Sequence, residues 1–124
     1  MKVYKLIDKV YRCEFRLYIG ELEEFKNAIR KHDGYPGDDK IGPALAWTVS
    51  LSGAIGIWLP KLSMDSPSDI ATLTHEFFHA MHFRLYHKCD VEYWLGAAEP
   101  AAYYMDFLMN GFLSQIKKNK EAAK

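Results

Sequence analysis

His75-Glu76-Phe77-Phe78-His79 is the stretch of this chain whose residue types and spacing can do chemistry. On a helix, residues four apart share one face about one turn apart, so both imidazoles reach a single tetrahedral zinc ion. The glutamate between them points about a quarter turn away. It stands close to such an ion without ligating it, where a general base for a zinc-bound water belongs. The pattern is that of metal-assisted hydrolysis.

A catalytic zinc needs a further protein ligand and one open position. Glu99, twenty residues past His79, is the leading candidate, because the connection is long enough to reverse direction. Asp90 and Glu92 are nearer rivals. Tyr93, Tyr103, Tyr104 and His82 are candidate donors to an oxyanion that the sequence does not rank. His82 shares the face of His75 and His79 but lies two turns from His75, which suits a cleft wall better than a ligand.

The elements that must position these groups follow from periodicity. Val10 to Ile19 alternates Cys13, Phe15, Leu17 and Ile19 against Glu14, Arg16 and Tyr18, as a half-buried strand does, with Lys2 to Ile7 as its extension. Glu21 to His32 switches to helical spacing, and Asp33 to Pro43 reads as loop. Ala44 to Leu51 and Ala54 to Leu59 form a hairpin about Ser52-Gly53. Pro60 ends its second strand and suits a sheet edge. Ser66-Pro67-Ser68-Asp69 starts a helix with an N-cap, a proline at the first position and an acid at the third. That helix runs to about Lys88, carries the histidines, and is apolar on most sides. A last helix covers about Glu99 to Lys118. Pro100 biases Glu99 out of helical geometry, towards its start. Residues 117–124 read as a frayed, charged tail.

Composition bounds the rest. The 124 residues make one domain, and 16 basic against 16 acidic side chains give no net charge. No basic excess exists to displace counterions, so nucleic acid is not an expected partner. Ile41 to Pro60 is uncharged for twenty residues, long enough to cross a bilayer. Its alternation, two prolines and three glycines read instead as strands, and no membrane association is expected. Cys13 and Cys89 are too few for a disulfide framework, and Met1 to Val10 lacks a signal-peptide core. A cytoplasmic protein is expected.

The run Thr72 to Ala80 around the two histidines, followed by Glu99-Pro100-Ala101-Ala102-Tyr103-Tyr104, resembles the gluzincin metallopeptidases. The likeness is to minimal single-domain members encoded by phages and prophages, which would place the chain in a host cytoplasm. It covers roughly Ala44 to Phe112. The sub-class with a third His six residues after the second is excluded, since that position is Leu85. The resemblance implies a zincin-like α+β fold, in which a small antiparallel or mixed sheet packs on an active-site helix and a C-terminal helix. It implies zinc held by His75, His79 and Glu99, with Glu76 as base and a peptide lying along Ala54–Leu59 as the edge strand. Where thermolysin-like members have an acid four residues after the ligand Glu, this chain has Tyr103, and Asp106 is the local substitute. The expected function is that of a zinc metallopeptidase. A zinc-stabilised protein-binding module without turnover is the alternative.

Overall fold

Four runs of period-two alternation form strands: β1 (Lys2–Asp8), β2 (Cys13–Ile19), β3 (Trp47–Leu51) and β4 (Ala54–Leu59). They make one mixed sheet in the order β1-β2-β4-β3. The computed structural model describes residues 1–10, 12–32, 46–51, 53–88 and 98–123. The expected loop 33–43, Cys89, Asp90, Glu92 and Tyr93 lie outside the described residues.

Two expectations are corrected by the topology. The first 19 residues are a hairpin of two strands and not one long strand, with Lys2 opposite Ile19 and Asp8 opposite Cys13. Alternation continues through a reversal and so conceals it. The reversal itself is made by the Asp8 carboxylate, which accepts the Val10 N–H at 2.9 Å, and by Arg12 in the left-handed region at φ 55°. The second correction concerns Ala54–Leu59. β4 is interior, parallel to β2 on one side and antiparallel to β3 on the other. All six of its residues are buried, as in a strand covered on both faces. Pro60 falls just past the ladder and leaves it intact. Among the described residues the free edge on this side is β3.

Helices cover both faces of the sheet. On the rear, α1 (Leu22–Ile29) buries Phe25 and Ile29 against Tyr18, Val49, Leu51, Ala54 and Trp58. Phe25 meets Tyr18 edge-on and stacks near Trp58, with ring centroids 5.2 and 6.1 Å away. Gly56 is the floor beneath this helix. A Cβ there would stand 3.2 Å from Val49 Cγ1 and 3.5 Å from the Tyr18 ring.

On the front, α2 (Pro67–His82) and α3 (Ala98–Ala123) pack over Phe15, Leu17, Ile55, Ile57 and Leu59. Leu73, Phe77, Ala80 and Met81 face inward from α2, and Leu108, Phe112 and Ile116 from α3. Phe77 and Phe112 stack at 5.5 Å. The Ser66 cap forms as its sequence implies, accepting the Asp69 N–H at 3.2 Å, with Pro67 in the first turn. The Asp69 carboxylate, however, accepts from Ser63 N at 2.9 Å and so ties the cap to the preceding loop. After His82 the helical path continues to Lys88 as a wider π-helical segment, Phe83–Lys88. The last helix is longer than expected. It includes Glu99 in its first turn and extends through the predicted frayed tail to Ala123. Proline is tolerated in a first turn, where its missing N–H has no intrahelical acceptor, so Pro100 does not exclude Glu99 from the helix.

Candidate metal centre

The inward face of α2 is fixed by Leu73, Phe77 and Ala80, at spacings of four and three. That fit leaves His75 and His79 on the exposed side and puts Glu76 at the margin, 6% exposed. The motif's two aromatics divide in the same way: Phe77 is fully buried, whereas Phe78 is 44% exposed. The hydroxyls of Thr72 and Thr74 bond back to the carbonyls of Ser68 and Ile70, at 3.0 and 2.9 Å. These bonds turn both hydroxyls back onto their own helix, and that of Thr74 also meets the Met109 sulfur of α3 at 4.0 Å.

The two imidazoles turn towards each other. Their Nε2 atoms are 3.1 Å apart, and the ring centroids are 4.8 Å apart at 77°. Two nitrogens bound at zinc–nitrogen distance to one tetrahedral ion stand about 3.3 Å apart, so the pair fits a shared metal with little adjustment. A Glu76 carboxylate oxygen completes the group, with all three candidate ligand atoms within 4.8 Å of one another. Among the described residues this is the group able to hold a metal ion.

Glu76 is held from the sheet. Thr48 of β3 donates its hydroxyl hydrogen to Glu76 Oε2, and the same hydroxyl lies 3.2 Å from the Glu76 carbonyl oxygen. A cleft of about 510 Å³ opens beside this contact, lined by Ala46, Ser68, Ala71, Thr72, His75 and Glu76.

The other candidates are placed as follows. Glu99 is exposed in the first turn of α3 and is not part of the His75–Glu76–His79 group. Asp106 is exposed on the same helix. The Tyr104 hydroxyl is committed to Asp8 at the end of β1, and burial, then that bond and its charge, push its pKa far up. Tyr103 and Tyr104 both line an apolar cavity of about 570 Å³ at the β1–β2 turn, with Ile7, Val10, Leu85 and Phe107. His82 stacks on Phe78, with centroids 6.5 Å apart.

Thr48 is the residue that sequence reasoning missed. Its signal was present, since β3 carries Trp47, Val49 and Leu51 towards the rear and only the polar Thr48 and Ser50 towards α2. No family model matches the chain, and no curated protein or solved structure is detectably similar to it.

Proposed function

We propose that this protein is a zinc-dependent hydrolase of peptide bonds, with His75 and His79 as metal ligands and Glu76 as the proton acceptor. The observation that carries the reading is the pair of imidazole nitrogens at 3.1 Å beside a buried carboxylate held from the sheet. A zinc ion bound there supplies a Lewis acid that polarises a carbonyl and acidifies water. Glu76 removes the proton from the attacking water and returns it to the leaving amine. Its margin position, buried on one side and lining the cleft on the other, suits both transfers.

The third ligand is a downstream carboxylate. Glu99 remains the proposal, with Asp90 and Glu92 as the alternatives. The peptide adds as an extended strand to β3, since β4 is already paired on both sides. A sheet edge, a histidine-bearing helix and a second helix packed across it form the zincin-like arrangement this reading assigns to the fold. No helix among the described residues is long and apolar enough to cross a membrane.

The test is Glu76→Gln in the zinc-supplemented protein. A peptidase keeps its metal and loses about 10²–10⁴-fold in turnover, the contribution of a general base. A zinc-stabilised binding module is unchanged in every assay. Failure to bind zinc at near-equal stoichiometry ends both readings.

A further inference from the structure

A glutamate side chain has three rotatable bonds, and burial at 6% exposure removes most of the water that would otherwise solvate its carboxylate. Among the described residues one side chain donates to it, the Thr48 hydroxyl. Thr48 faces Ile57 across the β3–β4 ladder, and that pairing fixes the position from which its hydroxyl reaches α2. The hydroxyl also lies 3.2 Å from the carbonyl of the same glutamate. Strand and helix are therefore tied at residue 76 through its side chain, with the backbone carbonyl lying beside the same hydroxyl.

We infer that Thr48 is the positioning residue of this site: it holds the Glu76 carboxylate by Oε2 and leaves Oε1 as the oxygen that takes the proton. The inference rests on the reading of Glu76 as the base. The hydroxyl fixes the direction of the carboxylate. It also places the orienting contact on the edge strand proposed to receive the peptide, so one element aligns both the substrate backbone and the base.

The experiment compares Thr48→Val, which keeps the β-branched shape that a strand favours, with Thr48→Ser, which keeps the hydroxyl. Thr48→Ala replaces the valine variant where that does not fold. Crystal structures are expected to show Glu76 in one rotamer in the unsubstituted protein and in Thr48→Ser, and displaced or spread over several in Thr48→Val. A Glu76 side chain unmoved in Thr48→Val overturns the inference, whatever the activity. In the zinc-loaded protein, kcat on a peptide probe should fall about tenfold or more in Thr48→Val, as misplaced catalytic groups cause, with KM and bound zinc unchanged and Thr48→Ser close to unsubstituted. Equal kcat in the valine variant also overturns it. Turnover in the unsubstituted protein no greater than in Glu76→Gln overturns the peptidase reading instead, and the rotamer comparison still decides whether Thr48 positions the carboxylate.

Discussion

Tyr104 of α3 donates its hydroxyl hydrogen to the Asp8 carboxylate at the end of β1, across 96 residues of sequence. The bond joins the first strand to the last helix inside the front core, and Asp8 is itself only 6% exposed. Replacing Tyr104 by Phe removes a hydrogen bond to a charged group, worth about 1.5–3 kcal/mol, and should lower unfolding stability by that order. Denaturant unfolding of the two proteins measures it.

The same tyrosine sets a response to alkali. The folded-state pKa of Tyr104 is raised by burial first and by Asp8 second, while the unfolded tyrosine titrates near about 10. Above that pH the unfolded chain binds fewer protons than the folded one, so stability falls as pH rises. The contribution is fully present below about pH 10 and is lost above it. Tyr104 should keep its proton in the folded state above that pH and ionise on unfolding, seen as one tyrosine's step in phenolate absorbance. In Tyr104→Phe that step should vanish.

Metal binding should depend on both histidines together. The 3.1 Å approach of their nitrogens is of use to a shared ion only when both are present. His75→Ala and His79→Ala should each weaken zinc affinity by more than the 10–100-fold lost with an outer partner of a metal ligand, roughly the lower bound for a direct ligand. Zinc at 100 times its Kd should stabilise the unsubstituted protein by about 2.7 kcal/mol and leave the variants near their apo stability. Calorimetric titration and thermal melts provide the two readouts.

The third ligand is decided by three single substitutions. Glu99→Ala, Asp90→Ala and Glu92→Ala should differ in zinc affinity, with one matching the loss seen for the histidine variants and the other two near unsubstituted. Near-equal affinities in all three would show that none of these carboxylates is a ligand.

The motif's neighbouring aromatics should respond oppositely to truncation. Phe77 is fully buried and stacked on Phe112, so Phe77→Ala should cost about 3–5 kcal/mol. Phe78 is 44% exposed, and Phe78→Ala should stay within about 1 kcal/mol of unsubstituted. Similar losses at both positions would contradict the orientation of α2.

Much of this arrangement was legible in the sequence because it is local. The Ser66 cap, the four-residue spacing of the histidines and the inward-facing Leu73 and Phe77 all follow from helical geometry within one segment. The strand faces of β3 and β4 were legible for the same reason. What escaped was pairing at long range. Alternation names the faces of a strand but not its neighbours, so β4 passed for an edge, and the reversal at residues 9–12 was hidden in a continuous pattern. Thr48 escaped because its partner is in another element. A threonine on a strand is ordinary until Glu76 is seen opposite it.

The parallel pairing of β2 with β4 also bears on how the chain reaches its structure. The β1–β2 and β3–β4 hairpins each join strands close in sequence, whereas Glu14 must find Ala54, and Ile19 must find Leu59, across α1 and the segment after it. Loop-closure entropy makes that docking the slow event, with α2 packed on β3 and β4 and α3 packed on β1. Substitutions at Leu17 and Ile57, which meet at that seam, should slow refolding, while those within β1 mainly speed unfolding. Stopped-flow chevrons separate the two. On this view the front surface that seats α2 and α3 is complete only after the two halves of the sheet have joined, so a half-formed chain has no finished floor beneath the His75–Glu76–His79 turn.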